Sequence, residues 1–206
     1  MIRREFLAIG AAALLARRTA PIRIGVIGDG TSAARGARLG AEEGAHTARL
    51  LGREVDVAED DTNVVACVLT SAGARASGPA IAAYREQDCS ERFRVLHPSS
   101  DALAWHPSLE KYGAAQLNDR FRHRFGTGMD EYAWAGWFAA KCVIESALRS
   151  RDVTAHLLGA RTHFDGHKGT PLRFHPRTRA LIHPIYRLVN GQPIDAGLAE
   201  VTCRSW

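Results

Sequence analysis

The distribution of apolar and polar residues predicts alternating strands and helices in the first hundred residues. The apolar run at residues 22–27 ends in glycine and is typical of a buried strand. An Ala/Arg/Glu-rich stretch over residues 32–51 follows and predicts a helix that Gly52 ends. This alternation predicts an α/β fold with a parallel, doubly wound sheet. The other predicted elements of this half are strands at residues 54–58, 64–69 and 93–96 and a helix at residues 73–86.

The second half of the chain predicts helices first and strands afterwards. Apolar residues recur at helical spacing over residues 109–125 and again after Asp130, which is placed to cap a longer helix. On that helix Trp134, Trp137 and Phe138 fall at positions i, i+3 and i+4, so we expect them to form a core face. The remaining predicted elements are a short helix at residues 152–158 and strands at residues 169–174 and 184–189.

Composition places the chain among ordinary globular proteins. It has 206 residues, of which 46% are hydrophobic and 24% are charged, and this excludes disordered, collagenous and disulfide-scaffold proteins. The net charge is +5, but no Lys/Arg run is interleaved with aromatic residues. We therefore expect no nucleic-acid partner.

The first 20 residues predict an export signal. A basic start is followed by an apolar stretch over residues 6–16, which is too short to span a bilayer. Arg3 and Arg4 precede Glu5, Phe6 and Leu7 in the twin-arginine pattern, and cleavage after residue 20 would leave a periplasmic protein. A general secretory signal and the amino-terminal helix of a cytosolic protein are the alternatives. No cysteine follows the apolar stretch closely enough to carry a lipid anchor, since the first one in the chain is Cys67.

A glycine-rich turn follows the first predicted strand and raises the hypothesis of an exported NAD(P)-dependent oxidoreductase. Gly28, Gly30 and Ala33 fit G-x-G-x-x-A, in which glycines let the backbone approach a pyrophosphate. The acidic residue expected about 20 residues later is matched only by Glu59 and Asp60, about 30 residues on. A plain strand-to-helix turn explains the same residues.

A second turn, after the predicted strand at residues 93–96, suits an anionic ligand. Ser99, Ser100 and Asp101 would lie outside the carboxyl end of a parallel strand, which is where open α/β sheets bind ligands. Hydroxyls and free helix N–H groups there can bind a carboxylate, although a simple helix cap is the alternative. The nine histidines and four cysteines show neither a metal-binding nor a nucleophile motif, so we expect no metal and no cofactor.

Three segments in a fixed order resemble a known family. They read IRIGVIGDGTSAARGARLGAEEGA, YGAAQLNDRFRHRFGTGMDEYAWAGWFAAKCVIESALRS and FDGHKGTPLRFHPRTRALIHPIYRLVNGQ. Together they resemble type I periplasmic binding proteins of the leucine/isoleucine/valine class, the extracytoplasmic receptors of ABC importers. The stretches DCSERFRVLHPSSDAL and AWHPSLEKYGAAQL are similar to a subgroup associated with PQQ-dependent alcohol oxidation.

The resemblance implies a binding protein and not an enzyme. Its ligand would be a small polar or amino-acid-like molecule, and its partner would be the permease of an ABC transporter. By resemblance, Ser99 and Ser100 would contact the anionic group of the ligand, with Ser71 beside them and Thr31 as a further contact.

The chain departs from the family pattern at one point. Such receptors have two α/β lobes, whereas here the stretch SSDAL runs directly into AWHPSLEKYGA. Most of the second lobe is therefore expected to be missing between Leu103 and Trp105. This divides the chain into a leader (1–20), an amino-terminal α/β lobe (21–103) and a helical pair with closing strands of the same fold (104–206). A truncated remnant and a homodimer that replaces the lost lobe are the two hypotheses that follow.

Overall fold

A computed structural model describes residues 20–86, 92–98 and 101–199, and the predicted leader lies outside them except for Ala20. Among these residues, the first half forms five strands and one helix, and the second half forms three α-helices, a 3₁₀ turn and five strands. In chain order they are β1 (Ile22–Ile27), α1 (Ser32–Leu50), β2 (Val55–Ala58), β3 (Ala66–Leu69), β4 (Ala80–Ala82), β5 (Phe93–Arg94), a 3₁₀ turn (Lys111–Gly113), α2 (Ala114–Phe125), α3 (Glu131–Arg149), α4 (Val153–Leu157), β6 (Phe164–Asp165), β7 (Pro171–Phe174), β8 (Leu181–Ile182), β9 (Pro184–Val189) and β10 (Gln192–Leu198).

The five amino-terminal strands form one parallel sheet in the order β2-β1-β3-β4-β5. This order is that of a doubly wound sheet, with the switch point between β1 and β3. Alternate residues face opposite sides, so Ile24 and Val26 join the main core, whereas Cys67 and Leu69 belong to a smaller cluster on the other face. The predicted α/β fold is confirmed. The described residues contain one such sheet.

Helices α1 and α3 cover the main face of the sheet and touch each other through glycines. A Cβ atom on Gly36 would lie 1.8 Å from the carbonyl oxygen of Ala133, and one on Gly40 would lie 2.4 Å from that of Trp137. A Cβ atom on Gly136 would lie 2.0 Å from the carbonyl oxygen of Ala33. The two helix backbones are therefore in direct contact, which no residue other than glycine permits at these positions.

Two expectations about local structure are wrong. The predicted helix at residues 73–86 is absent, and the short strand β4 (Ala80–Ala82) lies there, buried between β3 and β5. The reason is the Gly78–Pro79 pair, because proline disfavours helical dihedrals in the residue before it. The predicted helix at residues 109–125 begins only at Ala114, since Tyr112 and Gly113 have φ angles of 59° and 87°.

The carboxyl-terminal strands β9 and β10 form a two-stranded ribbon that the sequence pattern predicted only in its first half. Asn190 and Gly191 join them with φ angles of 51° and 75°, as a two-residue hairpin turn requires. Pro193 has no N–H that could donate to a further strand, so it disfavours strand pairing at the outer edge of β10. The ribbon exposes four large apolar side chains, Leu188, Val189, Ile194 and Leu198.

The aromatic residues of α3 form the predicted core face. Trp134, Trp137 and Phe138 are all buried. The ring of Trp134 stacks on that of Phe138, with centroids 5.4 Å apart, and on that of Trp105, 5.8 Å away. Trp105 thus anchors the segment that follows Leu103 in the core. Within the described part of the chain, no helix has the length and apolar character needed to cross a bilayer.

Candidate functional site

The carboxyl ends of β1 and β3 meet at the switch point of the sheet. Gly28 turns the chain away from β1 with a φ angle of 104°. The hydroxyl of Thr70 donates to the backbone oxygen of Ile27 at 2.9 Å and also contacts that of Gly28. A Cβ atom on Gly28 would lie 3.0 Å from the hydroxyl of Ser71, so this serine lies beside the turn that follows β1.

Both long helices begin at this same edge. Thr31 caps α1, because its hydroxyl oxygen accepts from the N–H of Ala34 at 3.0 Å. Asp130 caps α3 by accepting from the N–H of Ala133 at 2.8 Å, and the hydroxyl of Ser32 donates to the same carboxylate at 2.7 Å. Capping uses an acceptor site of the Thr31 hydroxyl, so its proton can still be donated to a ligand.

A partly buried ion pair between Arg85 and Glu131 connects the loops at this edge of the sheet. The guanidinium of Arg85 donates to both carboxylate oxygens of Glu131 at 2.8 Å. It also donates to the backbone oxygen of His97 at 2.5 Å and to that of Ala102 at 3.0 Å. Glu131 in turn accepts from the N–H of Ala104 at 3.1 Å. One ion pair therefore joins the loop after β4, the loop after β5 and the first turn of α3.

The ammonium of Lys168 is enclosed by two aromatic rings and two backbone oxygens, which together form a cage. The side chain is buried, and its nitrogen donates to the backbone oxygen of Pro184 at 2.7 Å and to that of Ala104. It lies 4.3 Å from the ring centre of Trp134 and 4.8 Å from that of Tyr186, which are cation–π distances. Burial lowers the pKa of Lys168 well below its ordinary value, and the nearby charge of Glu131 opposes that shift.

His183 completes this buried network in its neutral form. Its Nε2 lies 3.1 Å from the backbone oxygen of Val95, and its Nδ1 lies 2.8 Å from that of Pro184 and 3.3 Å from the Lys168 ammonium. Burial lowers the pKa of His183 well below the ordinary histidine value and the charge of Lys168 lowers it further, while the hydrogen bonds to the backbone oxygens of Pro184 and Val95 oppose the shift.

The lowered pKa of His183 predicts a loss of stability in mild acid. Below the unfolded-state pKa of about 6.5, the unfolded chain binds a proton that the folded protein does not. The free energy of unfolding should therefore fall as the pH drops below 6.5, by up to about 1.4 kcal/mol per pH unit from this residue, and should be unaffected above pH 7.5. Urea unfolding at pH 7.5, 6.5 and 5.5 measures the slope.

The variant His183→Gln should show a shallower slope over this range because it removes the titrating group. His156 is the control, because its pKa is also lowered by burial, but it is only partly buried, so His156→Gln should change the slope less. Equal slopes for the wild type and His183→Gln would contradict the prediction.

The geometry does not favour dinucleotide binding at the glycine-rich turn. Glu59 does follow the end of β2, and its distance in sequence from Gly28 reflects the length of α1. However, the guanidinium of Arg38 donates to Asp29 at 2.6 Å and lies 3.5 Å from Glu59, so it lies between the turn and that carboxylate. The order β2-β1-β3 also differs from the dinucleotide-binding order, in which β3 lies outside β2.

The structure places two of the four predicted ligand contacts and leaves two outside its description. Thr31 and Ser71 lie at the same edge of the sheet, after the adjacent strands β1 and β3. Ser99 and Ser100 lie outside the described residues. Among residues 20–86, 92–98 and 101–199, no group of three or more His, Cys, Asp or Glu side chains could hold a metal ion.

The sequence pattern missed the charged and buried residues of the site. Arg85 follows a strand that was predicted as helix, so its position at the sheet edge could not be anticipated. Lys168 carries a weak signal, because only three lysines occur in the chain. The other two missed residues are Glu131 and His183.

Comparison with known proteins identifies the fold. No protein-family model and no curated protein matches the sequence. The structure is similar to a solute-binding protein of an ABC transporter from R. palustris, solved in complex with benzoate, with a TM-score of 0.57 at 10% identity over 86% of this chain and 96% of that one. An amino acid ABC transporter substrate-binding protein from Pseudomonas fluorescens Pf-5 gives a TM-score of 0.39 at 11% identity, over 95% of this chain and 63% of that one. The first match shows that this chain shares the fold of that solute-binding protein, as the resemblance led us to expect.

Proposed function

We propose that the chain is a solute-binding component of an ABC-type importer and acts in the periplasm without catalysing a reaction. The observation that carries this proposal is the fold shared with a solute-binding protein, together with the hydroxyl groups of Thr31 and Ser71 at the carboxyl edge of its sheet. Open α/β sheets bind their ligands at this edge. The ligand is a small polar or amino-acid-like molecule, and a permease of the ABC type is the partner.

The chemistry of the edge suits a carboxylate group. Ser71 and Thr31 provide hydroxyl donors, and Thr31 opens the amino terminus of a 19-residue helix whose first N–H groups attract anions. Ser99 and Ser100 belong to the proposed site as further hydroxyl donors. The benzoate bound by the R. palustris protein is also a carboxylate, which makes it a sensible first probe.

A thermal-shift screen tests the proposal. We expect at least one amino acid, short acid or benzoate to raise the melting temperature of the purified chain, since a ligand that binds only the folded state stabilises it. Each hydroxyl removed, in Ser71→Ala or in Ser99→Ala, should then weaken binding about tenfold, because a hydrogen bond to a charged group is worth about 1.5 kcal/mol or more.

The matched control is Ser77→Ala. Ser77 precedes β4, at the opposite edge of the sheet, where its hydroxyl donates to Asp61 at 2.6 Å. This variant should bind as the wild type does. NAD and NADP belong in the screen, because stabilisation by them alone would support the oxidoreductase instead. No stabilisation by any compound would overturn ligand binding by this chain.

Four further points belong to the proposal. The leader directs export through the twin-arginine route, and the chain is a shortened member of the family in which residues 104–206 follow the first lobe directly. The similarity to the PQQ-associated subgroup is a part of the proposal that rests on the sequence.

A homodimer would cover the apolar side chains that the β9–β10 ribbon exposes, and gel filtration at several protein concentrations tests that hypothesis.

A further inference from the structure

A cavity of about 170 Å³ lies beside the contact between α1 and α3. Its lining begins at Gly40 of α1 and at Trp137 of α3, more than one helical turn from the starts of both helices at the carboxyl edge. Its base is apolar, since Trp137 and Ile144 are each only 1% exposed. The polar residues that line the cavity are Glu43, Thr47, Lys141, Glu145 and His167. The cavity is therefore separate from the proposed carboxylate site.

One corner of this cavity already holds a cation that belongs to the chain. The ammonium of Lys141 lies 3.1 Å from the carboxylate of Glu145 and 5.7 Å from the centre of the Trp137 ring. Tryptophan is the side chain whose ring attracts cations most strongly. The two charged side chains are 24% and 25% exposed, and an ion pair with this exposure contributes little to stability. An ammonium from solution can therefore replace that of Lys141 at small cost.

The same cavity has an acceptor for the N–H groups of such a ligand. The Nδ1 of His167 lies 3.2 Å from the backbone oxygen of Tyr112. Because a carbonyl oxygen only accepts, Nδ1 carries the proton and Nε2 of the neutral ring is an acceptor. Among the residues that the structure describes, none forms a hydrogen bond with this Nε2. The His167 ring stacks on that of Trp137, with centroids 5.3 Å apart, so it is held beside the same indole.

The charges around the cavity define the class of ligand. Glu43 accepts from Arg120 at 2.7 Å, so Glu145 is the carboxylate that a positive ligand would neutralise once Lys141 moves aside. A ligand carboxylate would instead lie beside both glutamates. Over the described ranges of the chain, no group of three or more His, Cys, Asp or Glu side chains could hold a metal ion, which leaves an organic cation. We propose that this cavity binds a small primary ammonium ion with a short apolar chain.

Titration of the purified full chain with n-butylammonium chloride at pH 7.5 tests the proposal. The indole N–H signal of Trp137, identified by its absence in Trp137→Phe, is followed by NMR. This N–H donates to Glu43 at 2.9 Å at the edge of the cavity, so its signal should shift when the cavity is occupied. We expect a saturable shift with butylammonium and none with sodium butanoate or sodium chloride at the same concentrations.

Removal of the chain's own ammonium supplies the decisive readout. Lys141→Met should raise the affinity for butylammonium at least about threefold, because the ligand no longer competes with an intramolecular cation. Glu145→Gln should lower the affinity by about the same factor, because it removes the carboxylate that the ligand would contact. The matched control is Asp119→Asn, since Asp119 pairs with Arg122 at 2.8 Å on the surface of α2, outside the cavity. This variant should bind as the wild type does.

Three outcomes would overturn the proposal: no saturable shift, an equal shift with butanoate, or a Lys141→Met variant that binds no more tightly than the wild type. Circular dichroism of each variant establishes that it is folded. Ser71→Ala should leave the affinity for butylammonium unchanged, because Ser71 lies at the carboxyl edge of the sheet. A failed ligand screen therefore leaves this proposal intact, and a failed butylammonium titration leaves the proposed carboxylate site intact.

Discussion

The variant Gly36→Ala should lose about 3 kcal/mol of stability, and Gly36→Ala combined with Gly136→Ala should fail to fold. The new Cβ atom on Gly36 would lie 1.8 Å from a backbone oxygen of α3, and that on Gly136 would lie 2.0 Å from one of α1. Because the obstacles are helix backbones and not flexible side chains, the helices must move apart along their whole contact. Overpacking of this kind costs about 1–3 kcal/mol or more.

Helix propensity works in the opposite direction but is too small to compensate. Replacing glycine by alanine inside a helix gains about 1 kcal/mol, and the loss of about 3 kcal/mol is what remains after this gain. For a chain of this size the expected drop in melting temperature is about 6–12 °C. The matched control is Gly73→Ala, because a Cβ atom there meets nothing within 4 Å. Thermal unfolding followed by circular dichroism measures both, and an unchanged melting temperature for Gly36→Ala would refute the close contact.

Replacing Lys168 by methionine should cost about 3 kcal/mol. Methionine keeps the volume of the stem, so the loss comes from the ammonium alone. Without it, the backbone oxygens of Ala104 and Pro184 stay buried without this donor, at about 1–3 kcal/mol each, and the contacts with two aromatic rings disappear. The relief of burying a charge offsets part of this cost.

Lys141 offers a matched control on the protein surface. Its ammonium also lies over a tryptophan ring, that of Trp137 at 5.7 Å, and it pairs with Glu145 at 3.1 Å one helical turn away. Lys141→Met should cost only about 0.5 kcal/mol, as exposed pairs within one helix do. Urea denaturation at pH 7.5 gives both values. A Lys168→Met variant as stable as the wild type would show that the cage contributes nothing.

The elements that could be predicted are those specified by local signals. The apolar run of β1 and the capping residue Asp130 define their elements within the nearest residues, and the structure confirms both. Strand β4 was missed because it is only three residues long and its burial depends on β3 and β5, which pair with it from other parts of the chain. The local periodicity of apolar residues, from which helices are predicted, contains no information about such pairing.

The residues of the candidate site also fall into those that could be placed from the sequence and those that could not. Thr31 and Ser71 could be placed at one edge because they follow adjacent parallel strands, whose carboxyl ends share that edge. Arg85 and Glu131 could not be paired, since they are far apart in sequence and nothing local relates them. The cage of Lys168 likewise needs atoms from three distant segments.

The contact between α1 and α3 also sets the order in which the chain can fold. Helix α1 ends at Leu50, but the surface against which its glycines pack is complete only when Arg149 has left the ribosome. Until then one face of the parallel sheet has no second helix, so the first hundred residues cannot mature as an independent unit. Contacts this distant in sequence slow folding, because a long loop must close before they form. A nascent chain arrested near Leu103 should therefore remain sensitive to protease, and resistance should appear only with the second half.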